Sequence, residues 1–398
     1  LSNNTYPHLA KTGDQITLNM SFSEDVNLPD VLIEANLSTE SDLGGESFSS
    51  VYILDGTEPE GDIEVSINVT DYLGNQNQYT SITDGSNVYY DKTKPSLDLV
   101  RIASDNPYDT TWATISNTIS LYFTADEDIS NTDSVPSATI MGQNTTLSTT
   151  GANSRKANYV TTNTDPEGET NFQITIFDLA GNKGDIIATS TLDNNSKVIY
   201  DRTVPSDFTL GVVTASGGNI IENVWNLTNT GLEIVVPIES DTTLKNGWVQ
   251  ARAKIGLNNF EDLGVSSFIL QADIGGNKTL LYTAAQIESI TGFTENETIT
   301  LEAILYDRPG NMKNGIESIN ILEIDQTPAS IFYRSYKSNF SDTTLATVGD
   351  QILLEIKSNE AIQEPSITIA SNPAAVLDNG GNNWSASYTM QDGDSDGI

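Results

Sequence analysis

The chain has 398 residues, 37% of them apolar, with 18 basic and 55 acidic side chains, a formal net charge of −37, one histidine and no cysteine. Folded cores are affordable at this composition, and the length corresponds to three or four domains of ~100–150 residues. The charge excludes phosphate-backbone contacts to DNA or RNA and attraction to anionic membranes; the absent thiol and the lone His8 exclude disulfides, thiolate chemistry and multi-histidine metal sites.

What remains for chemistry is carboxylates, hydroxyls and amides, whose natural uses are calcium ligation, sugar contacts or solvated surface. The chain opens on Leu1-Ser2-Asn3-Asn4-Thr5, without Met, a basic region or an apolar run, so no signal peptide is expected there. No stretch approaches ~20 consecutive apolar residues, so no membrane insertion is expected in this segment. Gly13-Asp14-Gln15-Ile16 then leads into Ile16–Phe22, which alternates apolar and polar residues and predicts a half-buried strand. Tyr52 stands nine residues before Gly61, and Ile63–Val69 predicts a second alternating strand that runs into Asp71-Tyr-Leu-Gly74-Asn75. About twenty residues later comes Asp91-Lys-Thr-Lys-Pro95, where proline fixes φ and biases its predecessor to extended backbone.

The same landmarks then recur in order. Leu97–Ile102 and Ile119–Phe123 predict strands, Tyr159 precedes Gly168 by nine residues, and Phe172–Ile176 leads into Asp178-Leu-Ala-Gly181-Asn182 and Asp201-Arg-Thr-Val-Pro205. A third, more divergent copy carries a short helical insertion at Ala284–Ile290, then Asp307-Arg-Pro-Gly310-Asn311 and a shortened Asp325-Gln-Thr-Pro328. A fourth opens with Ile331–Tyr336. Its Gly349-Asp-Gln-Ile352, Glu360, Ile362 and Pro365 match Gly13 to Ile16, Glu24, Val26 and Pro29 without a gap, 336 residues on. Its Tyr388 precedes Gly397 by nine residues. The tail from Asp392 to Gly397 has the opening pattern of an EF-hand-like loop but aligns with polar turns of the earlier copies, and a plain turn is the reading we prefer.

Repeats of about 112 residues, each with about seven short strands having one apolar face, predict an all-β protein: a tandem array of two-sheet sandwiches, the first and last incomplete. The expected divisions are 1–91, lacking its first strand; 92–201, complete; 202–325, complete with insertions; and 326–398, stopping before its last strands. The run of Gly-Asp-x-Ile, Asp-x-x-Gly-Asn and Asp-x-Thr-x-Pro resembles the bacterial immunoglobulin-like repeats of large adhesins and other prokaryotic surface proteins. That resemblance covers the whole chain and implies rigid, extracellular stalks at a cell surface, often with calcium at the junctions.

The Asp-x-x-Gly-Asn element reads first as a self-bonded turn, with calcium ligation as an addition. Strand direction places the loops after the second and sixth strands of each sandwich beside the incoming linker. Asp91 is thus expected near Asp126, Glu127, Asp128, Asp178 and Asn182. Asp201 is expected near Glu239, Asp241, Asp307 and Asn311, and Asp325 near Glu360; the preceding domain adds Asp105, Asp109, Asp165 and Glu167 at the second junction. Converging carboxylates repel unless neutralised, and an all-oxygen set suits Ca²⁺, which takes six to eight oxygens. Trp384 aligns with Phe48 as a core residue; Trp112, Trp225 and Trp248 have no repeat partner.

No catalytic constellation is expected. The function expected is a non-catalytic extracellular stalk of a large adhesin or surface fibre, partnered by neighbouring repeats of the same longer chain. The alternative of another class is a surface-layer, sheath or filament subunit that self-assembles with copies of itself. A third is an accessory module of a secreted carbohydrate-active enzyme.

Overall fold

The computed structural model describes residues 1–132, 134–188 and 195–395. The described chain is a succession of mainly antiparallel strands; its helices are the 3-10 turn Thr242–Leu244 and the α-helix Ala284–Glu288. The latter lies in the expected insertion and is held by reciprocal bonds between Thr283 and Gln286, which satisfy backbone donors that a helix start leaves free.

Alternation sets the layers. In Thr118–Ala125 the residues Ile119, Leu121, Phe123 and Ala125 are buried while their neighbours face outward. This strand pairs with Leu97–Ser104 on one side and Ser154–Val160 on the other, with Thr146–Gly151 at the edge. The opposing sheet is Gln143–Asn144, Ser137–Ile140 and Phe172–Thr175. Between them lies one core built on Val100, Ile119, Phe123, Ile140, Ile174 and Tyr200. The first and third repeats are built the same way around their own cores, the first on Val31, Phe48 and Tyr90, the third on Trp225, Ile234 and Leu301. These are tandem immunoglobulin-like β-sandwiches, as the strand pattern predicts.

One pairing recurs and governs the junctions. Leu9–Ala10 runs parallel to Tyr89–Tyr90, Trp112–Ala113 to Ile199–Tyr200, and Val224–Asn226 to Leu322–Asp325. The last strand of each sandwich is thereby clamped, and it delivers the linker aspartate at once. Asp91 donates its N–H to Ala10 O at 2.8 Å, and Asp201 donates to Ala113 O at 2.9 Å.

The tyrosine landmark has a structural cause. Tyr159 donates its hydroxyl to Asp165 Oδ1 at 2.7 Å, and Thr162 N donates to the other carboxylate oxygen at 2.6 Å. Tyr52 does the same with Glu58 at 2.5 Å and Tyr388 with Asp394 at 3.1 Å. The turn reading of the tail thus extends to Asp394, while Asp396 and Gly397 lie outside the described residues.

Two departures from a closed sandwich stand at the two ends. In the first repeat only Leu1–Asn3 reach the edge of Gln15–Ser21, through the Ser2–Ile16 bridge. Beyond them the seam opens into a cavity of about 720 Å³ bordered by Met20, Phe22, Ile67 and Val69. In the last repeat, four strands from Ile331–Ser338 to Asn383–Thr389 form one sheet, opposed among the described residues by the short pair Thr368–Ile369 and Asn372–Pro373. Trp384 points where Phe48 points but stays half-buried, because little covers it.

Candidate metal centre

Each Asp-x-x-Gly-Asn turn is held by its own aspartate. Asp178 Oδ1 accepts the Asn182 N–H at 2.8 Å and Oδ2 accepts the Asn182 amide at 2.9 Å, while Gly181 takes φ +90°, a conformation costly for any residue with a Cβ. Asp71 with Asn75 and Asp307 with Asn311 repeat the pattern. The asparagine does a second job that its place in the motif does not announce. Asn182 Nδ2 also donates to the Asp91 carbonyl at 2.9 Å, and Asn311 Nδ2 to the Asp201 carbonyl at 3.0 Å. The linker is tied at each junction to the sixth-strand loop of the next sandwich.

At the first junction this tie brings three carboxylates together. Oxygens of Asp91, Glu127 and Asp178 all lie within 4.8 Å of one another, with Asp178 buried and the other two half-buried. Burial, and then the charges of Asp178 and Asp91, push the Glu127 carboxyl up to about 7; burial and Asp178 push Asp91 up to about 6. The charged forms are destabilised here because water is partly excluded and the neighbours have the same sign. Asp126 stands apart and caps the linker, accepting Ser96 N at 2.9 Å and its hydroxyl at 2.7 Å. Asp128 lies outside the triad and acts electrostatically on the buried Arg155.

The second junction keeps two of the three. Asp201 is only 7% exposed, and its Oδ2 is buried without a hydrogen-bond partner among the described residues. Burial raises the Asp201 carboxyl, as do Glu167 and Asp241; burial and Asp201 push Asp307 up to about 7 against the bonds from Asn311. Glu239 accepts Ser206 N at 2.9 Å, the bond Asp126 makes at the first junction, so Ser240 stands in the place of Glu127. Asp241 is turned into the cap of the 3-10 turn, accepting from Thr243 N and Oγ1 at 2.8 Å. Divergence in the third repeat has thus removed one carboxylate and redirected another.

At the third junction Asn359 takes the capping role, accepting Ser330 N at 2.6 Å. Glu360 falls in the place of Glu127, with Oε1 buried and unpartnered among the described residues; Asp325 is half-buried.

The preceding sandwich supplies the rest of each junction, and here sequence reasoning missed the main residues. Asn4 Nδ2 donates to Ala180 O at 2.8 Å and Lys11 Nζ to Gly181 O at 3.1 Å. At the corresponding places, Asn106 Nδ2 donates to Pro309 O at 2.8 Å and the Thr114 hydroxyl bonds Asn311 Oδ1. A signal was present: Ser-x-Asn-x-Tyr occurs at both Ser2–Tyr6 and Ser104–Tyr108, where the serine hydroxyl accepts the asparagine N–H. Of the acids expected at this pole, Asp109 pairs with Arg308 at 2.7 Å, and Glu167 accepts Arg202 N and the Thr203 hydroxyl. Asp105 accepts Thr118 N, and Asp165 serves the tyrosine bond already described.

The donor set at the first junction is all oxygen and fits a hard divalent cation; the unpartnered Asp201 oxygen gives the second junction a vacant acceptor of the same kind.

No protein-family model matches this chain, and no curated protein does. Among solved structures, the Ca²⁺-stabilized adhesin of an Antarctic bacterium is similar at 13% identity and TM-score 0.40, covering 97% of this chain and 89% of that one. A tetra-tandem repeat from the extending region of a large adhesion protein is similar at 14% identity and TM-score 0.25, covering 96% of this chain and 85% of that one. Titin domains A168–A170 follow at 8% identity and TM-score 0.32, covering 81% and 97%. At such identities and TM-scores none of them assigns a function.

Proposed function

We propose that this chain is a non-catalytic, load-bearing stretch of an extracellular stalk, one rod of immunoglobulin-like sandwiches divided at 1–91, 92–201, 202–325 and 326–398. Calcium at the junctions stiffens it. The observation that carries the reading is the repeated tie. At two successive junctions an asparagine of the Asp-x-x-Gly-Asn turn bonds the carbonyl of the linker aspartate, beside carboxylates that repel one another.

Asp91, Glu127 and Asp178 would hold the ion at the first junction, and Asp201 and Asp307 at the second. A divalent cation there supplies charge neutralisation and joins linker to loops, so that bending a junction would cost ligand bonds. The described residues include no helix long and apolar enough to cross a membrane.

Calorimetric titration of the whole chain with Ca²⁺ tests this. Binding is expected, with at least one site lost in Asp91→Asn/Asp178→Asn. An absence of binding would remove the metal and leave a rod held by hydrogen bonds alone, and an unchanged number of sites in that variant would remove the ion from the first junction.

A further inference from the structure

The second junction carries a feature that the first lacks. Trp248 is directly opposite Tyr306 on one neighbouring strand and Phe268 on the other, so three aromatic residues stand in one row across the sheet. Trp248 stacks on Tyr306 with ring centres 4.7 Å apart, and Tyr108 of the preceding sandwich leans over Trp248 at 4.5 Å. These rings line a cleft of about 620 Å³ whose rim holds Asn246, Ser266 and the Asp109–Arg308 pair. We propose that this cleft binds a neutral oligosaccharide.

Exposure is the first argument. Rings gathered only to stiffen a junction would be covered, yet Phe268 is 69% and Tyr108 58% exposed. The second is composition. A pyranose has apolar C–H faces, which pack on aromatic rings, and hydroxyls that need amide, hydroxyl or carboxylate partners. Asn246 and Ser266 are exposed, and their side chains bond no other group among the described residues, so both are free for a ligand.

Charge is the third. Arg308 is already met by Asp109 through both Nε and Nη2 at 2.7 Å, which leaves no uncompensated cation among the described residues lining the cleft to hold an anionic glycan, on a chain of net charge −37. At the first junction Tyr6 and Phe177 occupy the places of Tyr108 and Tyr306. Among the described residues the strand Ser137–Ile140 there pairs with Gln143–Asn144 and Phe172–Thr175, and with no strand in the place of Ser267–Phe268. The Ser267–Phe268 strand thus sets the second junction apart from the first.

The whole chain should be applied to an array of neutral gluco-, galacto-, manno- and N-acetylhexosamine oligosaccharides, and the strongest binder titrated by tryptophan fluorescence in calcium and in chelator. Phe268→Ala, at an exposed position outside the core, should weaken binding at least tenfold. Asn246→Gly, which keeps the φ of +66°, should weaken it severalfold. Absence of binding to every glycan on the array would overturn the proposal, as would binding that Phe268→Ala leaves unchanged. Capture of a proline-rich peptide instead, lost in Phe268→Ala, would overturn it in favour of a peptide groove.

Discussion

Single carboxylates at the junctions carry an unusual pH signature. Asp307, Asp91 and Glu127 have folded pKa values near 7, 6 and 7 against ordinary values of 3.8, 3.8 and 4.5. Between those limits the folded state holds more protons than the unfolded one. The stability these groups contribute is therefore fully present below the unfolded values and is lost as pH rises through the folded ones. In chelator, calorimetric melting of the chain should lose stability from this source between about pH 5 and pH 8. Asp307→Asn cannot titrate, so it should melt with a smaller difference between the two pH values. An equal difference in variant and parent would mean that Asp307 is charged throughout. Added Ca²⁺ should oppose the loss at high pH, because it binds the ionised form.

Within one sandwich, the tyrosine bond joins a strand to the turn that follows it. Tyr159 reaches a carboxylate, Asp165, that is itself buried and accepts only one other backbone donor of its own turn. Tyr159→Phe deletes one donor and leaves a buried anion short of a partner, at a cost of about 1.5–3 kcal/mol. Urea denaturation should register that cost as a lower midpoint with an unchanged slope. A midpoint shift well below that range would indicate that water replaces the hydroxyl. The helix Ala284–Glu288 illustrates the opposite economy. Its five residues are too few to be stable alone, and it persists through its cap and the burial of Ile287 in the core of its sandwich.

Across the whole molecule, a net charge of −37 drives the repeats apart, while screening at physiological salt confines the effect to ~8 Å. Repulsion thus matters most where the linkers run, and there the structure sets its inter-repeat bonds: Asn4 and Lys11 at the first junction, Asn106, Thr114 and Arg308 at the second. Small-angle scattering at fixed ionic strength should give a longer and better-defined maximum dimension in calcium than in chelator. Superimposable profiles would remove stiffening by the ion. Arg308→Ala should shorten the mean dimension in both conditions, because it frees Asp109 and unlocks the second junction without touching the carboxylates that face Asp201.

The repeat order, the all-β class, the alternating strands and the short helical insertion were legible in the sequence, because alternation and turn chemistry are local properties of a chain. Strand direction placed Asp91 beside the loops that carry Asp126, Glu127, Asp128 and Asp178, but that Glu127 and Asp178, and not Asp126 or Asp128, come within 4.8 Å of it is a finding of the structure. Which junction holds the compact triad was decided only in three dimensions. A serine at 240 and a capping role for Asp241 follow from register within a divergent repeat, and a difference of one residue in that loop reassigns both. The aromatic cleft was equally hidden. Trp248, Tyr306, Phe268 and Tyr108 lie on four separate segments of two repeats, and only sheet pairing and the docking of one sandwich on the next bring them to one cleft.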